Sequence, residues 1–418
     1  MTSTVYIAKN VYGGDGLGRL GDGRVVFVPG AWAGENVKAE IVEEKRHYVK
    51  ARLVEVVEAS PDRIDGGAVA AVPGCVYANL SPAAELRAKA DQLKDFFERA
   101  RLQTPQTPQT PQTPQTSQTF QTFQTSQTPQ TFHYRNKVVY HFARQQGEWA
   151  IGYRKEPSHE IVDIVEDPLA VPEINAKLGE IRKGVKTLLT TGPAAIRRDI
   201  EQKGNVTVRW TRKTGVKWWV GDAPKDLVLK ETTCGRDFEV PADGFYQVNP
   251  EVGEALVKAV VDEYLKGTDT AANLLDLYCG VGVFGLCCLG AYRGERAARL
   301  IGIESGRQAI DFAKRNAANQ KLEAKFFAEQ VGRNLRDIRA GEHTTVIVDP
   351  PRGGMEPNVP AWLAQTKAPR IFYVSCDPAT LTRDLKTICR GYEVESVRLF
   401  NMFPRTARFE TLVVLKRR

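Results

Sequence analysis

Nowhere among the 418 residues do 18 apolar residues run together, so no membrane-spanning helix is expected. The start, Met1-Thr2-Ser3-Thr4-Val5-Tyr6, lacks the charged stretch followed by an apolar one that a secretory signal needs, and a cytoplasmic protein is expected. Cysteine is sparse. Seven cysteines show no paired spacing beyond the adjacent Cys287-Cys288, which indicates neither a disulfide framework nor a zinc ribbon. Any cysteine chemistry therefore rests on single thiols. Charge of one sign is also limited: 58 basic against 50 acidic residues give +8, enough to suit a polyanionic partner and far from ribosomal-type basicity. With 42% hydrophobic residues, global disorder is excluded and two or three domains can each have a core.

Residues 6 to 60 read as short strands broken by glycine turns, Tyr12-Gly13-Gly14-Asp15-Gly16 and Gly21-Asp22-Gly23 among them. Asp-Gly pairs between β-branched residues are hairpin signals, and several at close spacing predict a five-stranded, OB-like barrel with a basic rim at Lys45, Arg46 and Lys50. The plainer reading is a β-module that only packs on its neighbour. Ser81-Pro82 then offers an N-cap and a first-turn proline for a helix bearing Leu86, Ala90, Leu93 and Phe97 on one face. Residues 103 to 131 repeat Gln-Thr-Pro, Gln-Thr-Ser and Gln-Thr-Phe, a composition that predicts an extended, disordered insertion; a proline-rich ligand is the alternative. From His133 to Trp219 the pattern is mixed strand and turn, with Tyr134-Arg135-Asn136-Lys137 a candidate phosphate contact. After Asn249-Pro250 strands and helices alternate to the end, which predicts a parallel, doubly wound sheet.

The chemistry concentrates in that last region. Leu274-Leu275-Asp276-Leu277-Tyr278 is an apolar strand running into Cys279-Gly280-Val281-Gly282-Val283-Phe284-Gly285, where glycines let the backbone approach a ligand at a helix N-terminus. Gly280, Gly282 and Gly285 match dinucleotide spacing, so a nicotinamide oxidoreductase is a rival. The next strand ends in Glu304, an acid suited to a ribose diol. Val346-Ile347-Val348-Asp349-Pro350-Pro351-Arg352 ends in an acid and a rigid diproline, a device that dehydrogenases do not need. Ile371-Phe372-Tyr373-Val374 then delivers Ser375-Cys376-Asp377-Pro378 to the same edge, placing a thiol where a nucleophile would stand.

Together these residues resemble the RNA uracil-5 methyltransferases, whose members act on 23S ribosomal RNA and on transfer RNA. The resemblance covers nearly the whole chain. Gly13 to Gly18, Phe27-Val28-Pro29-Gly30 and Ser60-Pro61-Asp62-Arg63 are similar to the family's TRAM domain; Phe245-Tyr246-Gln247-Val248-Asn249, Asp276 to Phe284, Asp349 to Arg352, Ser375 to Pro378 and Met402 to Glu410 are similar to its catalytic motifs. The resemblance implies an α/β fold with a C-terminal Rossmann-like class I methyltransferase domain, an N-terminal OB-like TRAM barrel and a central β-rich α+β region. The implied boundaries are 1–60 for the barrel, 61–102 for a linker and helix, 103–132 for the insertion, 133–245 for a central RNA-binding region and 246–418 for the methyltransferase domain.

It further implies that Gln247, Tyr278, Gly280, Gly282, Glu304, Glu329 and Asp349 hold S-adenosylmethionine, that Cys376 is the nucleophile and that Glu410 is the base. RNA is the implied partner, ribosomal rather than transfer RNA because the barrel is present, and the protein is expected to be monomeric. The chain departs from the family pattern at three places. Cys75 stands where members often cluster three cysteines for an iron–sulfur centre, and Asp167 where they place a fourth, so no cluster and no metal are expected. Val283 replaces a polar residue of the glycine loop, and Arg408 replaces a histidine. A non-catalytic RNA-binding protein is the remaining rival; Cys376, Asp349 and Glu410 together argue against it.

Overall fold

A computed structural model describes residues 2–103, 121–122, 131–155, 158–267, 272–294, 297–333, 335 and 338–418. The Gln-Thr-Pro repeats lie almost wholly outside the described residues. Five strands, β1 (Thr2–Asn10), β2 (Gly16–Arg19), β3 (Val25–Val28), β4 (Asn36–Glu44) and β5 (Tyr48–Glu58), close into a barrel in the order β1-β2-β3-β5-β4. Closure follows from alternation: Val5, Ile7, Val26, Val28, Val37, Ala39, Val49 and Ala51 point inward and form one core. Glu35, just before β4, is fully buried and is held by Arg63 at 2.6 Å and the Ser60 amide at 3.2 Å, so the Ser60 to Arg63 motif is fastened to the barrel.

Ser81 caps helix α1 (Pro82–Ala100), its hydroxyl accepting from the Ala84 amide at 3.3 Å. The two-residue strand β6 (Gln121–Thr122) follows. A second sheet contains β7 (Lys137–Gln145), β8 (Glu148–Arg154), β9 (Ile161–Asp163), β10 (Asn205–Thr211) and β11 (Gly215–Val220), ordered β11-β10-β7-β8-β9. Between its strands lie helices α2 (Pro172–Thr191) and α3 (Ala194–Lys203). Ile174, Leu178, Ile181, Val185 and Leu189 form the stripe by which α2 packs on the sheet, a helical period inside a segment whose sequence reads as strand and turn.

A hairpin of β12 (Val228–Thr233) and β13 (Arg236–Pro241) precedes helix α4 (Pro250–Leu265). The third sheet then assembles from β14 (Asn273–Leu277), β15 (Leu300–Glu304), β16 (Ala324–Ala328), β17 (Thr344–Val348), β18 (Arg370–Ser375), β19 (Tyr392–Phe400) and β20 (Glu410–Arg417), in the order β16-β15-β14-β17-β18-β20-β19-β6. Strands β14 to β18 pair in parallel, and β20 runs antiparallel between β18 and β19. Helices α5 (Val283–Ala291), α6 (Arg307–Asn319), α7 (Val359–Leu363) and α8 (Pro378–Ile388) complete the unit.

Alternate strand residues divide between two cores: Leu274, Phe372 and Val374 join α4, α5 and α6, whereas Leu275, Tyr373 and Ile371 join α7 and α8. The sheet is thus buried on both faces, as parallel sheets must be. Two neighbours extend these cores. Leu93 and Phe97 of α1 belong to the second core, and Phe238 and Val240 of the hairpin to the first. Helix α1 and the hairpin therefore pack as parts of the methyltransferase unit, although in sequence they precede position 246. No helix among the described residues is long and apolar enough to cross a membrane.

Candidate active site

The chain leaves β14 through a strained turn. Tyr278 has φ of +63°, a conformation costly for a bulky residue, and Gly280 and Gly282 follow at +53° and +88°. A Cβ on Gly280 would stand in open space facing a cleft, whereas one on Gly285 would lie 2.7 Å from Leu300 and 2.8 Å from Asp276. One glycine clears room for a ligand and the other lets α5 press against the strands. Beneath the loop Asp276 is fully buried; its Oδ2 accepts from the Gly285 amide at 2.9 Å, and burial pushes its carboxyl up to about 7. The turn sits at the topological switch point, where β14 lies between β15 and β17.

The cleft beside the loop encloses about 680 Å³, open solvent included, and is lined by Gln247, Tyr278, Gly280 and Asp349 together with Asn136, Glu231 and Phe245. Gln247 is held in place by its backbone: its carbonyl accepts from Asn136 Nδ2 at 3.4 Å, and the neighbouring Val248 carbonyl accepts from the Asn136 amide at 2.9 Å. The Tyr278 hydroxyl is donated to Glu356, so its ring and backbone face the cleft while its polar tip is engaged elsewhere. Asp349 follows β17, and burial, then the charges of Asp276 and Glu304, raise its carboxyl to about 8. Glu304 and Glu329 stand apart from the cleft lining. They meet at the ends of β15 and β16, where the Glu329 amide donates to the Glu304 carbonyl at 2.9 Å. The Glu304 carboxylate accepts from the Gly306 amide at 2.7 Å and from the Ser305 hydroxyl at 2.9 Å. Gly282 is the N-cap residue of α5 and also stands outside the cleft lining.

Cys376 follows β18, and Ser375 pairs with Thr411 across β20, which brings the thiol opposite Glu410. Glu410 is buried, and burial followed by the Asp349 charge raises its carboxyl far above the usual range. Cys376 is partly exposed; burial, then the charges of Glu410, Asp349 and Asp377, push its thiol up to about 12. Arg405 and Arg408, the basic residues shortly before Glu410 in sequence, are both engaged elsewhere. Arg405 is fully buried beside Glu85, at 3.3 Å, and donates to the carbonyls of Tyr77 and Leu80. Arg408 donates to the Tyr12 hydroxyl at 2.8 Å and pairs with Asp377 at 3.4 Å. Tyr12 comes from the barrel, and its ring packs edge-on against Phe96 and Phe409.

One further expectation changes. Tyr134 and Asn136 are buried and Arg135 is half-buried, so this segment is an internal joint between the second sheet and the cleft rather than a phosphate-facing surface. Asp167 is fully buried and accepts hydrogen bonds from the hydroxyls of Tyr140 and Tyr153, each at 2.7 Å, and from the Leu169 amide at 2.9 Å. Its carboxylate is thereby saturated. Sequence reasoning gave no site role to Tyr12 or Glu231 and placed Asn136 in a phosphate contact instead of at the cleft. Of these only Glu231 left a signal, an acid on the inward face of an alternating strand.

Residues 225–418 match the family described as tRNA (uracil-5-)-methyltransferase, and residues 2–54 match the TRAM domain. An uncharacterized RNA methyltransferase of Streptomyces avermitilis is 30% identical, covering 99% of this chain and 97% of its own. The chain belongs to the RNA uracil-5 methyltransferase family. A relative in Methylococcus capsulatus, 27% identical over 99% of this chain and 96% of its own, is named 23S rRNA (uracil(1939)-C(5))-methyltransferase. The tRNA (uracil-54, C5)-methyltransferase of Pyrococcus abyssi, solved with S-adenosyl-L-homocysteine, shares the fold at a TM-score of 0.72 and 22% identity over 98% of this chain and all of that one. This family member is an S-adenosylmethionine-dependent enzyme that methylates carbon 5 of uracil in RNA. The cleft fits that cofactor: the bare Gly280 backbone clears an approach, and buried Glu231 offers Oε1 without a hydrogen-bond partner among the described residues.

Proposed function

We propose that the protein methylates carbon 5 of a uridine in 23S ribosomal RNA through a covalent adduct between Cys376 and carbon 6. The observation that carries this reading is the pairing of β18 with β20, which sets one thiol and one buried carboxyl side by side next to Asp349. Carbon 5 of uracil is a poor nucleophile until a thiolate adds to carbon 6. Bound S-adenosylmethionine supplies an electrophilic methyl group. Once carbon 5 carries that methyl, its proton must leave so that the thiolate can be expelled, and Glu410 is the base in reach. Burial makes Glu410 a stronger base than an exposed carboxylate in its ionised form, which is the form the step requires.

Gln247, Tyr278, Gly280, Gly282 and Asp349 hold the cofactor around the glycine loop, with Glu304 and Glu329 at the ribose end. Ribosomal RNA is favoured by the Methylococcus capsulatus relative. A transfer RNA enzyme shares the fold along the same length, so the barrel by itself does not choose the substrate.

Two variants test the mechanism. Cys376→Ala should abolish methylation and RNA attachment while still binding S-adenosylmethionine. Glu410→Gln should accumulate methylated RNA linked to protein that survives denaturing electrophoresis. Formation of 5-methyluridine by Cys376→Ala would overturn the adduct, and normal turnover by Glu410→Gln would place the base elsewhere. Mass spectrometry of nucleosides from a deletion strain, mapped to RNA species, tests the substrate; loss from transfer RNA alone would overturn the ribosomal reading.

A further inference from the structure

Glu231 is a buried acid in the cleft to which the reaction above gives no role. It lies on β12, where Leu229, Glu231 and Thr233 share the buried face. The residue is 5% exposed, and Oε1 accepts no hydrogen bond among the described residues. Arg209 Nη2 stands 3.9 Å away, near enough for charge attraction and too far for a hydrogen bond, while Arg209 Nη1 donates to the carbonyls of Gly244 at 2.8 Å and Ala242 at 3.2 Å. Burial raises the Glu231 carboxyl to about 7. An acid left this way is costly unless a donor arrives from the cleft that it lines.

The cofactor's orientation follows from the fold. In doubly wound sheets the acid that ends the second strand meets the ribose, here Glu304. Glu304 and Glu329 lie outside the cleft lining, so the nucleoside falls on the β15 side of the glycine loop and the cleft is left to the amino-acid end. Three acids line that cleft. Asp349 is electrostatically tied to Cys376 and Glu410 and stands at the reacting end. Glu254 already accepts from the Cys234 amide at 3.1 Å and faces Arg212 at 3.8 Å. Only Glu231 combines burial with an open acceptor.

We propose that Glu231 binds the α-ammonium of S-adenosylmethionine and thereby selects cofactors that carry an intact amino-acid end. The ammonium has three donors and no acceptor, matching an acceptor with no donor. The inference rests on the cofactor and not on the cysteine adduct.

Calorimetric titration with S-adenosylhomocysteine and with its deaminated counterpart, on wild type and on Glu231→Gln, forms the test. Removing the amine should weaken binding to wild type by about tenfold or more, the worth of a charge-assisted hydrogen bond, and to Glu231→Gln by less than about threefold. Should Glu231→Gln fail to fold, Arg209→Met combined with Glu231→Gln removes both members of the buried pair and is read in the same cycle. Equal losses in wild type and variant would overturn the proposal. Binding of S-adenosylhomocysteine to wild type reads the cofactor itself, and only the difference between the two losses reads Glu231.

Discussion

Lys89 and Lys45 each meet a glutamate at almost the same distance, Glu85 at 2.7 Å and Glu43 at 2.8 Å, yet the two contacts do different work. Lys89 and Glu85 are fully buried between α1 and the loop before β20. Lys89 donates also to Asn401 at 2.7 Å and to the Phe403 carbonyl at 3.2 Å, while Glu85 accepts from the Arg405 amide at 3.0 Å. Lys45 and Glu43 sit on the barrel rim in water. Distance alone does not grade an ion pair; desolvation does. The buried network ties the loop that precedes Glu410 to the helix carrying Phe97. Among the described residues the rim pair reaches only Lys50 besides, at 3.0 Å, and its charges stay in water, where a partner can exchange for them.

The largest effect expected from that contrast is at Glu85. Glu85→Ala strands the charges of Lys89 and Arg405 in the interior, and should cost about 3–5 kcal/mol, read as a lower denaturant midpoint. Glu43→Ala on the rim should leave the midpoint unmoved. Similar shifts from the two variants would break the contrast.

Burial has a second consequence at Cys376, where it and the surrounding carboxylates favour the neutral thiol. A thiol with raised pKa is protonated at neutral pH and becomes nucleophilic only as pH rises. Alkylation of Cys376 by iodoacetamide, followed on its peptide by mass spectrometry, should therefore climb about tenfold per pH unit from pH 7 to pH 10. A plateau near pH 9 would mark an ordinary thiol and no influence of the buried acids. A smaller effect is expected at Tyr12, which joins barrel to active site through the Arg408 bond of 2.8 Å. Tyr12→Phe keeps the ring packing and should lower stability by about 1 kcal/mol, the usual worth of one hydrogen bond.

The barrel, the parallel sheet and the strand ends carrying Asp349, Cys376 and Glu410 were legible because each is written locally, in alternation, in glycine turns and in motifs. What was not legible depends on contacts distant in sequence. Nothing near Glu85 announces Arg405, which lies 320 residues away, and nothing near Tyr12 announces Arg408. The Tyr134 to Lys137 segment reads as a candidate phosphate contact, yet Asn136 is buried and its amide meets the Val248 carbonyl at 2.9 Å. Helix α2 is the opposite case: its stripe from Ile174 to Leu189 was present in the sequence and was outweighed by the strands around it.

The rim offers the finest test, because Lys45, Arg46 and Lys50 look equivalent in sequence and are not. Glu43 bridges Lys45 and Lys50, at 2.8 and 3.0 Å, whereas Arg46 is exposed with no ion pair among the described residues. A lysine already neutralised by an acid must exchange that partner for phosphate, so its net contribution to counterion release is smaller. In titrations of RNA binding against salt, Arg46→Gln should lower the slope by about 0.7 to 0.9, and Lys45→Gln or Lys50→Gln by less. Glu43→Gln frees both lysines and should steepen the slope. If all four variants keep the wild-type slope, the rim lies outside the RNA footprint and its ion pairs are decoration on a barrel that binds elsewhere. If the two lysines match Arg46, Glu43 lets go at no cost, and the contrast between rim and interior is larger than the distances suggest.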